Sequence, residues 1–226
     1  FDHKQKGKDN EDGDAFLVSS LQAKKSKYSF SQFLKRFSIV KEEMQIDLDE
    51  FDLSYYTYGM SIYKNMPLIE PLETKEVKKI YEFVIVLDTS YSIDENLAKR
   101  FISNTYSILS TSNMFYKSCK VHIIQCDDRI RKDDVISNQN EMDQLLNSFT
   151  LVGKGNTDFR PVFSYVNDLI DQKVFQNLCG LLYFTDGKGI YPKKSPAYKT
   201  AFIYLEDYDQ SKVPSWAIQY RLEEKL

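Results

Sequence analysis

Residues 80–87, Ile-Tyr-Glu-Phe-Val-Ile-Val-Leu, are a near-continuous run of β-branched and aromatic side chains interrupted by one carboxylate. A strand with no polar–apolar alternation is buried on both faces, and sheets covered on both faces are mostly parallel, with helices above and below. Residues 178–185 form a second such run, and 121–126 a third. Residues 129–136 read as a short edge strand, and 201–205 and 216–222 as the strands that close the sheet. Between them lie stretches of helical periodicity. Asp94 opens one, with Leu97, Phe101, Ile102, Ile108 and Leu109 on one face. Ser137 is positioned to cap a second, carrying Met142, Leu145 and Leu146. Asp158 and Pro161 begin a third, with Phe163, Val166, Leu169 and Ile170 inward. This order predicts an α/β fold with a doubly wound, mostly parallel, Rossmann-like sheet flanked by helices. Such sheets bind ligands beyond the carboxyl ends of their strands, where the strand order reverses.

The N-terminal third reads differently. Residues 1–14 are rich in Lys, Asp, Gly and Asn, and suggest a disordered lead-in or linker. Residues 15–75 read as a small helical, aromatic-rich N-terminal extension, and 76–226 as the α/β domain. In the extension, Phe33, Leu34, Phe37 and Val40 recur at helical spacing, and Pro67 and Pro71 mark an extended connector. The rings of Tyr55, Tyr56, Tyr58 and Tyr63 are expected to pack the extension against the sheet. A nucleic-acid stacking platform is disfavoured, because Lys64 is the one basic residue close to them.

The bulk numbers remove further classes. With 226 residues and a net charge of −3, nothing in the total charge draws the chain to nucleic acid. No apolar run is long enough to span a bilayer, and no signal peptide is visible. The cysteines, Cys119, Cys126 and Cys179, are odd in number and lack metal-ligand spacing. Buried, reduced thiols and a cytoplasmic location are the expectation. The chain opens on Phe1, so a fragment of a longer protein is expected.

Three short strings carry the chemistry: Asp88-Thr89-Ser90-Tyr91-Ser92, Gly155-Asn156-Thr157-Asp158 and Thr185-Asp186-Gly187. The first and third fall at the carboxyl ends of expected strands, and the second opens a helix. Together they offer two carboxylates, Asp88 and Asp186, and three hydroxyls, Ser90, Ser92 and Thr157. Oxygen-only donors suit Mg²⁺, or Mn²⁺ or Ca²⁺, rather than zinc.

The first string resembles the DxSxS signature of von Willebrand factor A domains, with Asp88, Ser90 and Ser92 in register. The resemblance implies a metal-ion-dependent adhesion site, often abbreviated MIDAS. Ser90 and Ser92 would ligate directly, Thr157 directly or nearly so, and Asp88 and Asp186 through water. The sixth position would go to a carboxylate of a protein partner. One departure is Tyr91, where the family most often has Gly. Tyr91 and Asp158 are candidates for the partner-binding face. Residues 155–163, 182–192 and 123–128 resemble the C-terminal domain of a bacterial family in which it follows a metallopeptidase-like region. Residues 28–34 resemble the helical lead-in of that domain. Proteins of this kind are similar to those encoded beside MoxR-type AAA+ ATPases, which implies such an ATPase as a partner. The implied role is a metal-dependent protein-binding module. A metal-free scaffold of the same fold, and an accessory domain of a peptidase whose catalytic part lies elsewhere, stay open beside it.

No catalytic constellation is visible. His-Glu-x-x-His is absent, and the two histidines, His3 and His122, are isolated. His122, in a strand, reads as a structural imidazole. An Asp88 phosphatase nucleophile would need a second acid where Ser90 stands. Gly153-Lys154-Gly155 lacks phosphate-loop spacing. Asp127 and Asp128, near the expected rim of the site, read either as shaping it electrostatically or as a strand-end turn.

Overall fold

The computed structural model describes residues 30–90, 93–111, 114–153, 155–204 and 208–222. These fall into two compact units, one holding the described residues up to Phe37 together with those from Ile80 onward, the other Ser38–Lys79.

The larger unit is built on strands β2 (Pro71–Asp88, from Ile80 on), β3 (Phe115–Cys126), β4 (Ile130–Ile136), β5 (Leu178–Thr185), β6 (Thr200–Tyr204) and β7 (Ile218–Arg221). They lie in the order β4-β3-β2-β5-β6-β7. Every pair along that order is parallel except β3–β4, so β4 is an antiparallel edge, as expected for 129–136. The chain leaves central β2 toward β3 and β4, then returns to β5 on the other side. The order therefore reverses at the carboxyl ends of β2 and β5.

Both faces of the sheet are covered, as the unbroken apolar runs require. Val84 and Val86 of β2 join Leu181, Tyr183 and Phe202 under Val162, Phe163 and Val166 of α5 (Arg160–Asp171). Side chains alternate along a strand, so the neighbours of these residues face the other layer. There Phe101 of α3 (Glu95–Thr111) stacks on Phe184 with ring centroids 4.1 Å apart. Helix α4 (Gln139–Ser148) follows the β4 edge strand. Its N-cap is Asn138, not Ser137: Glu141 N–H donates to Asn138 Oδ1 at 2.9 Å, and Glu141 Oε2 accepts the Ser137 N–H at 2.7 Å. Asn138, not Ser137, stands three residues before Glu141, the spacing a reciprocal cap needs. Among the described residues no α-helix joins β5 to β6 or β6 to β7.

His122 is buried, with Nδ1 3.0 Å from Asp133 and its ring edge-on to Phe175. This is the structural imidazole expected of it. All three cysteines are buried and unpaired. No helix of the described residues is long and apolar enough to cross a membrane.

Residues 30–34 form a helical segment (α1) that continues into a 3₁₀ turn, Lys35–Phe37. Phe33 meets Tyr220 at 4.6 Å, and Phe37 sets its edge on Phe83 at 5.5 Å. Gly180 of β5 leaves the room: a Cβ there would lie 2.3 Å from Phe37 Cδ1 and 2.8 Å from the Lys199 carbonyl. The aromatic segment is thus part of the core of the sheet unit.

The smaller unit departs from the expected helical extension. Ile39–Phe51 is a strand, β1, pairing antiparallel with the first half of β2, with irregularities on either side of Asp47. Helical spacing ends at Phe37, and alternating residues such as Val40, Glu42 and Met44 follow the period of a strand. Helix α2 (Leu53–Tyr63) starts at Asp52, whose carboxylate accepts the N–H groups of Ser54 and Tyr55. It ends at Lys64, which has a positive φ of 61°. Tyr55, Tyr58 and Tyr63 are exposed rather than packed away. The helix turns only one small buried residue inward, Gly59, against Leu68.

Candidate functional site

Three loops meet at the carboxyl ends of β2 and β5. The parallel register sets Leu87 beside Phe184, so the next residues, Asp88 and Thr185, stand side by side. Thr185 Oγ1 donates to Asp88 Oδ2 at 2.6 Å, and the Ser90 N–H donates to Asp88 Oδ1 at 2.9 Å. Asp88 is wholly buried, and Ser90 and Asp186 nearly so. Burial pushes the Asp88 carboxyl above its ordinary range; the bonds from Thr185 and Ser90 pull it back, and the Asp186 charge adds to the rise. Asp186 Oδ1 accepts the Lys188 N–H at 2.9 Å, and Oδ2 lies 3.6 Å from Lys188 Nζ. Gly187 follows with φ +83°, a conformation that suits glycine, and its N–H donates to Thr185 Oγ1.

The second loop is drawn in by close contacts. A Cβ on Gly153, whose φ is +151°, would lie 2.2 Å from Thr89 Oγ1. On Gly155 it would lie 2.8 Å from Asp127 Oδ2, and on Gly189 2.7 Å from Thr157 Cγ2. Glycine at these positions lets the second loop touch both others, and half-buried Thr157 sits where it meets the third. Asp158 forms a bridge with Ile190, and the Phe159 N–H donates to the Ile190 carbonyl. The structure thus brings Asp88, Ser90, Asp186 and the Thr157 loop to one place. Ser92 and Tyr91 lie outside the described residues. The Asp158 carboxylate pairs with Arg160 at 2.6 Å and accepts that residue's N–H, but the N-cap of α5 is Phe159 rather than Asp158, while Pro161 stands in the first turn as expected.

Two contributors went unassigned in the sequence. Thr185 stands outside the five expected ligands, yet it fixes Asp88; the signal was its place opposite Asp88 at the end of a neighbouring parallel strand. Asp127 is fully buried at the end of β3. It accepts N–H groups from Asp128, Arg129 and Gly155, and holds Arg131 through Nε at 2.8 Å and Nη2 at 2.7 Å. It ties the edge of the sheet to the second loop. The spacing Asp127-Asp128-Arg129-Ile130-Arg131 was its only local sign.

The donor chemistry fits a hard divalent cation. Asp127 and Asp158 each have an arginine, whereas among the described residues no Lys or Arg lies within ion-pair distance of Asp88. A buried carboxylate next to a second one, ringed by hydroxyl-bearing loops, is a place where added positive charge lowers the energy. Among the described residues no three His, Cys, Asp or Glu side chains form a metal-holding group, so hydroxyls would have to complete any such site.

A reversing, mostly parallel sheet with three loops and two carboxylates at its switch point defines a doubly wound, Rossmann-like α/β protein. Residues 83–223 match the family model of the VWA-like domain (DUF2201), and the chain belongs to that family. No curated protein matches the sequence. Among solved structures, the chain is similar to a von Willebrand factor type A protein from Catenulispora acidiphila. That match has 9% identity and a TM-score of 0.45, and covers 66% of this chain and 40% of the other. It is also similar to the ArnB paralog VWA2 from Sulfolobus acidocaldarius (14%, 0.45, 84% and 52%). A third is proximal thread matrix protein 1 of the mussel byssus with a zinc-occupied MIDAS motif (10%, 0.44, 63% and 44%). The chain spans about half or less of the length of each of these proteins.

Proposed function

We propose that this chain is a divalent-cation-dependent protein-binding module rather than an enzyme. The observation that carries the reading is Asp88: wholly buried, beside Asp186, at the switch point of the sheet, and, among the described residues, with no Lys or Arg within ion-pair distance. Ser90, Ser92 and Thr157 would supply hydroxyl oxygens to Mg²⁺ or Mn²⁺, and Asp88 and Asp186 negative charge around it. When bound, the ion supplies a Lewis-acidic position for one further ligand. Hydroxyl donors leave that position selective for an anionic oxygen, so the partner is a protein offering an Asp or Glu side chain. The resemblance to domains encoded beside AAA+ ATPases makes such an ATPase a partner to test.

Calorimetric titration of metal-stripped protein with Mg²⁺ and with Mn²⁺ tests the reading, with Asp88→Ala in parallel. Saturable one-site binding that the variant loses is the expected result. Equal binding by the variant would move the ion elsewhere. A second reading, a metal-free scaffold of the same fold, is favoured by one observation: both oxygens of Asp88 already accept hydrogen bonds within the loops. It predicts no heat with either ion and an unchanged fold in Asp88→Asn.

A further inference from the structure

The smaller unit, Ser38–Lys79, carries a surface that the ion site does not use. Helix α2, Leu-Ser-Tyr-Tyr-Thr-Tyr-Gly-Met-Ser-Ile-Tyr, contains no charged residue, and its one buried residue is Gly59. A helix apolar all round is normally buried, yet Tyr58 is 60% exposed and Leu53, Tyr55, Ile62 and Tyr63 are exposed with it. On β1, Met44 is 89% and Leu48 85% exposed, and Val40 and Ile46 also face outward. Strand β1 pairs with β2 alone among the described residues. By contrast, the described residues of the larger unit expose only scattered single side chains such as Val135 and Val174. Exposed apolar side chains concentrated on two consecutive elements mark an interaction site, and tyrosine and methionine are enriched in the cores of interfaces.

Charge selects the occupant. Residues 42–52 hold six carboxylates, Glu42, Glu43, Asp47, Asp49, Glu50 and Asp52; Lys75 of β2 meets Asp47 at 3.2 Å and Asp49 at 3.6 Å, and the unit as a whole still carries nine acids against five lysines. A second copy of the chain would set these acids against themselves, and an anionic lipid surface would repel them. A protein segment that alternates apolar and basic side chains meets both demands, and can add to the open side of β1 as a further strand. We propose that the Ser38–Lys79 unit is a second, metal-independent docking surface for a basic, apolar segment of a partner protein.

The probe is a fluorescein-labelled dodecapeptide of alternating Lys and Leu, with a Glu–Leu counterpart, titrated with the full chain and read by anisotropy. The expected result is saturable binding of the Lys–Leu peptide alone, unchanged by EDTA. Affinity should fall at least tenfold in Met44→Ser/Leu48→Ser and in Tyr55→Ser/Tyr58→Ser. These pairs remove exposed apolar surface without altering charge, and circular dichroism checks their fold. Glu42→Gln/Asp49→Asn should weaken binding and flatten its salt dependence, whereas Val135→Ser/Val174→Ser should bind like the parent. No binding of the Lys–Leu peptide, equal binding of the Glu–Leu peptide, or parent-like binding by both serine pairs would overturn the proposal. So would a concentration-dependent dimer, seen by sedimentation, that the serine pairs abolish, because the occupant would then be a second copy. Insensitivity to EDTA keeps this test separate from the ion site.

Discussion

Replacing Asp127 with alanine is the most demanding test of how the loops are held. The carboxylate is wholly buried and accepts three backbone N–H groups, from Asp128 at 2.7 Å and from Arg129 and Gly155 at 3.2 Å. Arg131 adds a fork, with Nη2 at 2.7 Å. Removing one partner of a buried pair costs about 3–5 kcal/mol. Arg131 keeps Asp128 at 3.2 Å and reaches solvent in part, which places Asp127→Ala at the lower end, about 3 kcal/mol. For a chain of this size that is a fall of about 6–12 °C in Tm. Urea unfolding followed through Trp216 reads it directly, because this is the only tryptophan and it packs edge-on to Phe163 at 5.9 Å. Burial alone would raise the Asp127 carboxyl, but Arg131 and the N–H donors outweigh it and hold it well below the usual carboxylate range. A depressed folded value means that the contribution is complete above the unfolded value and fades as pH falls below about 4. The gap between parent and variant should therefore narrow on acidification. Since Asp127 positions Gly155 and touches no ligand directly, ion affinity should also fall, by about 10–100-fold. A destabilisation under about 1 kcal/mol, the worth of an ordinary hydrogen bond, with no change in the pH profile, would refute the reasoning: water would then replace the carboxylate at little cost.

Three other outcomes follow from the same geometry. Thr185→Val removes the 2.6 Å bond to Asp88 and the acceptor for the Gly187 N–H, and should cost about 1–3 kcal/mol in urea unfolding while weakening Mg²⁺ binding in calorimetry. Gly180→Ala would press a methyl group to within 2.3 Å of Phe37 and 2.8 Å of a backbone carbonyl; it should destabilise by about 1–3 kcal/mol, and Phe37→Leu should recover part of the loss. At a Mg²⁺ concentration 100 times its Kd, the parent should gain about 2.7 kcal/mol in stability, and Asp88→Ala should gain nothing.

The sheet was legible because its central strands are buried on both faces. The run at 178–185 coincides with β5, and the edge position of β4 followed from its polar content. The strand β1 was hard to read because its alternation is confined to Met44–Asp49 and runs inverted, with Met44, Ile46 and Leu48 facing solvent and Asp47 buried, so no apolar core face marks it. The first half of β2, with its run of Lys and Glu, hid for the same reason. At the site, Asp88 and Asp186 were readable because a carboxylate directly after a buried strand is conspicuous. Asp127 was not, because its role depends on Gly155, 28 residues further along the chain, and only the folded loop brings that N–H to it.

The four carboxylates around these loops sort by how their charge is met. Asp127 and Asp158 are each answered by an arginine on their own segment, and each uses its remaining lone pairs on backbone N–H groups. That arrangement is self-sufficient, and its effect is to hold the second loop and the start of α5 in place. Asp88 accepts hydrogen bonds from Thr185 and Ser90, with no Lys or Arg of the described residues within ion-pair distance, and Asp186 accepts an N–H and faces a largely exposed lysine. Burial, with the Asp186 charge adding to it, then raises the energy of the ionised Asp88 carboxylate. An incoming divalent cation removes both penalties at once, whereas a neutral ligand removes neither. On the proposed reading, a divalent ion would meet the charge of Asp88 and leave a coordination position for a partner's carboxylate.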